Sequence, residues 1–294
     1  MIKVAIIIIN YNGNEDTIAC LASLEKHTNS IPEIKYDIIL VDNASINPLT
    51  NADLSGYKIN IFYYKSSANL GFAGGNNFGI SSYNNDGNNA DYYLLLNNDT
   101  EIIDNSLDRL VMSSNSTSYA ITGLVNYYYD NPSEVWQAGS MFMAYSLRSR
   151  EVKPANKNVF VKVDDVPGSS MLIRKDIIDK IGLLDERFFA YYEEVEFCAR
   201  ARSKGAKIAF LDGTRILHKV GRSSTSAFKH YLRTRNTLLL YHIHYRHLML
   251  IAFLRVFLRT LILSIHAADK KIYWRAMWRG IEDYCKKNFY LGSN

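Results

Sequence analysis

Cysteine, proline and glycine are scarce in this chain of 294 residues, which contains 3 Cys, 5 Pro and 16 Gly. Three distant cysteines without a Cys-x-x-Cys pair cannot form a disulfide framework or a four-thiolate zinc site, and they suit a reducing cytoplasm. The low proline and glycine content excludes collagen-like and low-complexity proteins. A hydrophobic content of 48% excludes a disordered chain and predicts one large globular domain or two small ones.

Acidic residues are nearly missing from the C-terminal part of the chain. After Thr214 the sequence contains 15 of its 34 Lys and Arg residues but only 3 of its 29 Asp and Glu residues. An acidic body with a basic, apolar tail does not suit DNA bound along its length, so we expect no nucleic-acid partner. The same charge distribution suits a membrane surface that carries anionic lipid.

Short apolar runs separated by a helix-length stretch predict an α/β protein with a parallel sheet. They are 4–9, 36–41, 59–64 and 92–96. The first run is shorter than the apolar core of a secretory signal, so we expect a cytoplasmic protein. The first, second and fourth runs end in polar residues. In open α/β sheets ligands bind outside the carboxyl ends of the strands, and we expect these polar ends to meet in one crevice.

The polar residues after the first two runs are candidates for ligand binding. Asn10 and Asn12 follow the first run, and Asp42 ends the second. The Asp42 carboxylate is suited to accept hydrogen bonds from a nucleobase or a ribose hydroxyl. The alternative is that Asp42 or its neighbours cap the next helix.

A glycine cluster follows the third run and includes Gly74 and Gly75, with Asn69 before it and Asn76 after it. The cluster lacks the G-x-G-x-x-G dinucleotide fingerprint and the Gly-Lys-Ser/Thr of a P-loop, which weakens hydride transfer and P-loop hydrolysis as functions. It either allows a ligand to approach the backbone closely, with Asn76 as a side-chain partner, or forms an ordinary flexible turn.

Asp99 closes the fourth apolar run, with Asn97 nearby as a neutral oxygen donor. Such a group resembles a site for a hard divalent cation, Mg²⁺ or Mn²⁺, which takes oxygen ligands from the protein and from substrate phosphates. The alternative is that Asp99 caps a helix that carries residues 102–110.

An acidic, aromatic stretch at 184–200 contains a candidate general base. Consecutive helical residues point about 100° apart, so Glu193 and Glu194 cannot share one role, and one of them faces the cleft. Their proximity raises the pKa of both carboxyl groups, as a general base requires. Glu196 and Arg200 are spaced for a simple helix ion pair, and Cys198 is expected in the core.

His218 follows another apolar run and precedes Lys219 and Arg222. A histidine beside two cations and small hydroxyl residues suits a metal ligand next to diphosphate oxygens.

In order along the chain, these motifs resemble glycosyltransferase family two, a family with the GT-A fold, and more narrowly its bacterial rhamnosyltransferase-like members. The resemblance covers roughly residues 2–240. It depends on the ordered series Ile9-Asn10-Tyr11-Asn12, Val41-Asp42-Asn43-Ala44-Ser45, Asn69-Leu70-Gly71-Phe72-Ala73-Gly74-Gly75-Asn76-Asn77, Leu96-Asn97-Asn98-Asp99, Trp136-Gln137-Ala138-Gly139, Gly168-Ser169-Ser170-Met171-Leu172-Ile173, Phe189-Ala190-Tyr191-Tyr192-Glu193-Glu194-Val195-Glu196 and His218.

The resemblance implies a Rossmann-like GT-A fold with a mixed, mostly parallel sheet and flanking helices. It implies inverting transfer of a sugar from a nucleoside diphosphate donor, dTDP-rhamnose or UDP-hexose, to a glycan acceptor in bacterial surface polysaccharide synthesis. Asp99 and His218 would be the ligands of the divalent metal, and Glu194 would match the catalytic base. The sequence departs from the family pattern in two places, since Glu replaces Asp at 194 and Asn97 stands where other members have a carboxylate. Because the longer side chain at 194 moves the carboxylate, Glu193 remains an alternative base.

The C-terminal stretch 248–265 is mostly apolar but carries Arg255 and Arg259. Two arginines would oppose insertion across a bilayer by about 2.5 to 3.5 kcal/mol each, which favours an amphipathic helix in the membrane interface. The alternative is a helix packed on the catalytic domain or on a second copy of the chain. We therefore expect a catalytic domain at 1–240 and basic amphipathic helices at 241–294, on the inner face of the cell membrane, where a lipid-linked acceptor would be reached.

Two further functions fit parts of the sequence. A catalytically silent scaffold that binds nucleotide sugars would explain Asn97 and the glutamate at 194. A nucleotidyltransferase would share the α/β core but leaves the acidic stretch at 193–196 without a role.

Overall fold

The computed structural model describes residues 1–28, 30–143, 148–220, 226–265, 267 and 269–290. The strands of this part of the chain are β1 (Ile2–Asn10), β2 (Ile34–Asp42), β3 (Asn60–Lys65), β4 (Tyr92–Asn97), β5 (Thr100–Ile102), β6 (Tyr119–Gly123), β7 (Asn126–Tyr128), β8 (Val135–Gln137), β9 (Ser140–Met143), β10 (Arg148–Glu151), β11 (Phe160–Val163), β12 (Ser170–Arg174), β13 (Lys207–Leu211) and β14 (Ile216–His218). The α-helices are α1 (Asn14–His27), α2 (Asn51–Leu54), α3 (Gly71–Asn85), α4 (Ser106–Asn115), α5 (Lys175–Ile181), α6 (Glu193–Ser203), α7 (Ser226–His244), α8 (Met249–Ile265) and α9 (Lys270–Cys285).

The main sheet has eight strands in the order β11-β13-β6-β12-β4-β1-β2-β3. Strands β4, β1, β2 and β3 are parallel, whereas β12 runs antiparallel to both β4 and β6. A smaller sheet in the order β5-β14-β7-β8 stands beside the ends of β4 and β6. The expected α/β architecture with a mixed, mostly parallel sheet and C-terminal helices is therefore confirmed.

The central strand β1 is buried on both faces. Ala5 and Ile7 pack in one hydrophobic cluster with α3, and Val4, Ile6 and Ile8 pack in a second cluster with α1. Alternate residues of a strand point to opposite faces, so a continuous apolar run is what a strand needs when helices cover both sides of its sheet. This arrangement leaves the carboxyl ends of the parallel strands open as a single edge.

Helices α7, α8 and α9 pack on one another around Leu238, Val256 and Met277. The segment Arg246–Ile265, which includes α8, is the one stretch of the described chain that is long and apolar enough to cross a membrane, and 28% of it is buried. Its outward side is apolar and exposed, at residues Leu250, Leu254, Phe257, Leu258, Leu261, Ile262 and Ile265. Helix α7 runs through residue 240, and the division into 1–240 and 241–294 stays a prediction.

Candidate active site

The two residues expected to bind the metal lie together although 119 positions separate them in the sequence. Asp99 occupies the turn between β4 and β5, and His218 ends β14, which pairs antiparallel with β5 and places His218 opposite Thr100. Asp99 Oδ1 lies 3.0 Å from His218 Nε2, and both side chains are largely shielded from solvent. The strand pairing thus sets the distance between the two side chains.

This pair has the chemistry of a divalent-metal site. The buried Asp99 Oδ1 atom makes no hydrogen bond, despite its short distance from the imidazole. The Asn97 amide lies 3.3 Å from His218 Nε2, and its oxygen and nitrogen exchange places by a simple flip of the group. The described residues contain no group of three or more His, Cys, Asp or Glu side chains around one point. The site therefore fits a cation that takes its remaining ligands from a diphosphate and water.

Trp136, from the motif Trp136-Gln137-Ala138-Gly139, contacts His218. Its ring packs edge-on against His218, with ring centroids 4.4 Å apart. An aromatic ring on one side of the imidazole restricts its orientation. Trp136 therefore supports His218, the candidate metal ligand.

Lys219 and Arg222 are the two cations expected to contact the diphosphate. Lys219 forms ion pairs with Asp16 at 3.1 Å and with Glu101 at 2.9 Å. Burial lowers the pKa of Lys219, but hydrogen bonds from Lys219 to these two carboxylates outweigh it and raise the pKa overall. Lys219 would have to leave both carboxylates to reach a ligand, and its role stays a prediction. Arg222 lies outside the described residues.

Asn10 and Asp42 lie side by side at the ends of two parallel strands. They are register partners in β1 and β2, and the Asn10 amide donates to Asp42 Oδ2 at 3.4 Å. Asp42 Oδ1 accepts a hydrogen bond from the backbone of Ser45, and Thr50 caps the following helix α2. The alternative that Asp42 caps a helix is therefore wrong, because its carboxylate closes the turn after β2.

Asn12 connects the two loops that follow these strands. Its backbone N–H donates to Ser45 Oγ at 2.9 Å, and its side-chain oxygen accepts from the Ile46 backbone at 2.8 Å. Asn12 adopts a left-handed conformation, with a φ of 55°, which asparagine tolerates better than most residues. The loops are thereby held together at the open edge of the sheet.

The glycine cluster is a helix and not a flexible turn. Helix α3 begins at Gly71, and a Cβ at Gly75 would come within 3.2 Å of Ile9 on β1. A Cβ at Gly74 would lie 2.9 Å from Leu70. Gly75 therefore lets α3 pack closely on β1 and Gly74 leaves room for the Leu70 side chain, and this packing overrides the low helix propensity of glycine.

The asparagines around this helix start mostly bind the protein itself. The Asn69 side-chain oxygen accepts from the Gly71 backbone at 2.9 Å. Asn76 donates to the Phe72 carbonyl at 2.8 Å, while its own side-chain oxygen is buried without a hydrogen-bond partner. Of these two asparagines, Asn76 has an unpaired side-chain acceptor, which is buried, and its role towards a ligand stays a prediction.

Glu193 and Glu194 open helix α6 after a strained turn. Phe189, Tyr191 and Tyr192 have φ values of 62°, 70° and 73°, a conformation that costs non-glycine residues energy and persists only when the surroundings enforce it. Such strain before two carboxylates is typical of a functional site.

Burial raises the pKa of both glutamates. For Glu193, which is fully enclosed, the charge of Glu194 adds to the effect of burial, and the pKa is well above its usual value. For Glu194 the charge of Arg233 opposes burial, and the pKa is still raised. Each has a buried Oε2 atom without a hydrogen-bond partner. Because Glu194 is partly exposed and Glu193 is buried, Glu194 is the more accessible of the two candidate bases.

A chain of contacts connects Glu194 to the metal-binding pair. A Cβ at Gly168 would lie 3.6 Å from the Glu194 Cβ, so Gly168 faces the Glu194 side chain. The next residue, Ser169, accepts a hydrogen bond from the Asn97 backbone at 3.2 Å. The candidate base and the candidate metal ligands therefore belong to the same edge of the main sheet.

Arg235 and Asn236 on α7 hold the strained turn, and sequence reasoning missed both. The Asn236 amide donates to the carbonyl oxygens of Phe188, Ala190 and Tyr191 at 2.8, 2.8 and 2.7 Å. Arg235, which has no exposed surface, donates to the carbonyl oxygens of Phe188 and Phe289 at 3.0 and 3.1 Å. The sequence signal that could have identified them is the Arg-Asn pair within an otherwise apolar helical stretch. Buried polar groups need hydrogen-bond partners, so such a pair indicates a contact with another backbone segment.

Two side-chain roles expected outside the site are confirmed. Arg200 Nη2 lies 3.0 Å from Glu196 Oε2, and His244 joins the same carboxylate at 3.2 Å. Cys198 is fully buried in the core. The alternative that Asp99 caps a helix is wrong, since β5 follows it and α4 begins only at Ser106.

The chain is similar to one protein family, to a characterised relative and to several solved structures. Residues 5–182 match the family described as Glycosyl transferase family 2. The chain is 31% identical over 244 residues to the low-salt glycan biosynthesis hexosyltransferase Agl10 of Haloferax volcanii, which covers 80% of this chain and 74% of the relative.

The solved structures share the fold at low sequence identity. S. aureus TarS 1–349 in complex with UDP-GlcNAc superposes with a TM-score of 0.61 at 14% identity, over 96% of this chain and 81% of that one. GalNAc-T7 with UDP, GalNAc and Mn²⁺ gives 0.60 at 16% identity, over 79% of this chain. The match covers 48% of GalNAc-T7, so the chain spans about half the length of that protein.

Proposed function

The chain belongs to glycosyl transferase family 2, and from this membership we propose that it transfers a hexosyl group, with inversion, from a nucleoside diphosphate sugar to a glycan acceptor. The observation that carries the proposal is the contact of Asp99 with His218, which lies at the same sheet edge as Glu194. The hexosyltransferase relative and the fold neighbour with bound UDP-GlcNAc support this donor class. Our donor candidates remain UDP-hexose and dTDP-rhamnose, the latter from the rhamnosyltransferase-like subfamily.

The residues present can perform a single displacement. Glu194 accepts the proton of the acceptor hydroxyl while that oxygen forms a bond to the anomeric carbon. The bond from the anomeric carbon to the diphosphate oxygen breaks at the same time, and the diphosphate departs from the opposite face. One in-line displacement inverts the configuration at the anomeric carbon.

Asp99 and His218 would hold a divalent metal, Mn²⁺ or Mg²⁺, against the donor diphosphate, with Asn97 as a neutral neighbour. When bound, such an ion neutralises the charge that develops on the leaving diphosphate. Asn10 and Asp42 would face the base and ribose of the donor, with Asn12 holding the adjoining loops.

We further propose a lipid-linked acceptor at the inner face of the cell membrane. The exposed face of α8 is a continuous apolar surface, with Leu254 55% and Ile262 60% exposed. Apolar area of this kind on one side of a helix favours insertion into the headgroup region of a bilayer. A second copy of the chain on this face is the alternative, which makes a homodimer.

A catalytically silent scaffold remains the second candidate function. Lys219 is engaged by two carboxylates, and the metal pair lacks a third acidic ligand within the described residues. Both features would weaken donor activation while leaving nucleotide binding possible.

Turnover separates the two candidates. We expect the purified protein to release nucleoside diphosphate from a UDP-hexose or dTDP-rhamnose when given a lipid-linked glycan and Mn²⁺. Glu194→Gln should lower kcat by about a thousandfold or more while thermal stabilisation by UDP and Mn²⁺ persists. Glu282→Gln on α9, an exposed carboxylate, is the matched control and should retain full activity. Binding without turnover by the unmodified protein would favour the scaffold, and unchanged activity of Glu194→Gln would overturn the assigned base.

A further inference from the structure

Three arginines, Arg233 on α7 and Arg255 and Arg259 on α8, lie near the turn that leads into α6. The guanidinium of Arg233 on α7 lies 5.1 Å from the ring centre of Tyr191. Burial alone would raise the pKa of the neighbouring Tyr192 hydroxyl, but the charges of Arg255 and Arg259 on α8 lower it below its usual value. Two helices thus direct positive charge at the turn that leads into the candidate base.

The packing of α7 on α8 fixes this arrangement. His230 Nε2 lies 2.8 Å from Thr260 Oγ1, which ties the first turns of α7 to the last turns of α8. Arg233 lies one helical turn after His230, and Arg259 directly precedes Thr260. The three guanidinium groups therefore share one side of the helix pair.

The cluster contains positive charge without paired acids. Within the described ranges, none of the three arginines forms an ion pair with a carboxylate. Burial, with the charges of Arg259 and Arg233, lowers the pKa of His230 to about 4, so this histidine is neutral at pH 7. Like charges held together repel one another, and a bound anion would relieve that repulsion.

The cluster also borders the exposed apolar face of α8. Leu254 and Leu258 are exposed, the following Arg255 and Arg259 are partly exposed, and the next residue in each case is buried. The arginines therefore lie at the margin between the apolar face and the protein. A ligand with a charged group and a long apolar chain would find complementary surfaces on both sides of this margin.

We propose that Arg233, Arg255 and Arg259 bind the phosphate or diphosphate group of a lipid-linked acceptor, an inference that rests on the proposed glycosyl transfer. Guanidinium groups form paired, charge-assisted hydrogen bonds to phosphate oxygens, which makes arginine the usual residue for such groups. Arg233 belongs to the cluster, and its positive charge also acts on the Glu194 carboxyl group. A phosphate held by the cluster therefore brings the first sugar of the acceptor towards the candidate base. The lipid chain lies along Leu254 and Leu258.

The test measures binding without turnover. Phosphatidylcholine vesicles with and without geranylgeranyl diphosphate are sedimented with the full chain in EDTA, which removes the metal that a donor site would need. We expect tighter binding to the vesicles that carry the diphosphate. Arg255→Gln/Arg259→Gln should weaken that binding by about tenfold or more, because each lost charged hydrogen bond contributes about 1.4 kcal/mol or more, or tenfold.

The control is Lys271→Gln/Arg275→Gln, which removes two exposed charges at the same i,i+4 spacing from α9 and should retain the preference. Equal loss in both double variants, or retained preference in Arg255→Gln/Arg259→Gln, would overturn the proposal. Arg233→Gln repeats the test from the other helix if the double variant does not fold. Sodium pyrophosphate that competes as well as the lipid would show a free-phosphate site and overturn the assignment to a lipid. Because no transfer is measured, the result is independent of donor binding and turnover.

Discussion

Asn236 donates a hydrogen bond of 2.7 Å to the carbonyl oxygen of Tyr191, three residues before Glu194. Two further bonds from the same amide hold Phe188 and Ala190. One side chain of α7 therefore keeps the turn before the candidate base in a conformation that the backbone would otherwise leave.

We expect Asn236→Ala to move the base and to destabilise the fold. It leaves the carbonyl groups of Ala190 and Tyr191 without this donor, whereas the Phe188 carbonyl keeps its bond from Arg235, and the loss of a buried donor costs about 1 to 3 kcal/mol. kcat should fall at least tenfold while UDP affinity, measured by calorimetry, stays near that of the unmodified protein. Asn51→Ala, at an exposed site, should change neither. An unchanged kcat together with lower stability would mean that the turn is purely structural.

Gly71→Ala should be costly for two reasons. Gly71 has a φ of 71°, and an added Cβ would clash with the Phe189 carbonyl oxygen. We expect the free energy of unfolding in urea to fall by about 3 kcal/mol, which combines about 1 kcal/mol of backbone strain with the cost of overpacking. Gly87 has a φ of 81° but open space around it, so Gly87→Ala should lose only about 1 kcal/mol. Equal losses at both positions would show that the contact with Phe189 has no effect.

Asp99→Asn and His218→Gln should each remove the effect of metal on donor binding. The unmodified protein should unfold at a higher temperature with UDP and Mn²⁺ than with UDP alone, since a ligand that binds only the folded state stabilises it. Each variant should lose most of that difference. Asp130→Asn, outside the site, is the control and should keep the Mn²⁺-dependent rise in unfolding temperature. If a variant at 99 or 218 also kept the full rise, that residue would not be a metal ligand.

Asp165 predicts how stability changes with pH. Burial raises its pKa to about 7, hydrogen bonds from Ser140 oppose that rise, and the charge of Glu194 adds to it. A carboxyl group with a raised folded pKa stabilises the fold below its unfolded pKa near 4, and that contribution is lost as the pH rises through about 7. Asp165→Asn should therefore reduce the loss of folding free energy between pH 5 and pH 8 by up to about 3 kcal/mol, since about two pH units separate pH 5 from the folded pKa. The measurement is the difference in melting temperature between the two pH values. An unchanged drop would place the Asp165 pKa near its ordinary value.

Leu254→Glu/Leu258→Glu should release the protein from anionic vesicles. Both side chains lie on the exposed face of α8, and each buried leucine contributes about 1.5 kcal/mol or more, so partitioning should fall by more than about tenfold. Ile46→Glu/Val159→Glu introduces the same charge at two other exposed apolar positions and should bind as before. If the α8 variant instead turned a dimer into a monomer without affecting vesicle binding, the face would belong to a second copy.

The sequence was sufficient to predict the central strands of the sheet and the proximity of Asp99 to His218. Runs such as Val4–Ile9 are apolar at every position, which only a strand covered on both faces requires, and β1 occupies that place. The association of Asp99 with His218 came from the family resemblance and not from spacing, because the pairing of β5 with β14 is non-local.

The sequence did not predict which parts of the fold the side chains of α7 and α8 face. The i,i+4 spacing of Arg255 and Arg259 showed that they share a face of α8, but only the packing of α7 shows that this face adjoins Tyr192. Arg235 carries the same charge as Arg233, which is partly exposed, and is nevertheless fully buried. The glycine cluster was interpreted as a ligand-binding backbone or a flexible turn because the close packing of Gly75 on Ile9 of β1, which favours glycine in this helix, is invisible in a single sequence.

The bond from Arg235 to the Phe289 carbonyl has a practical consequence for expression of the protein. Shortening the chain after residue 240 to obtain a more soluble enzyme would remove Phe289 together with the apolar helix. The remaining fragment would lose one of the partners that keep Arg235 buried beside the turn before Glu194. Solubility is therefore better sought by substituting the outer face of α8 than by truncation.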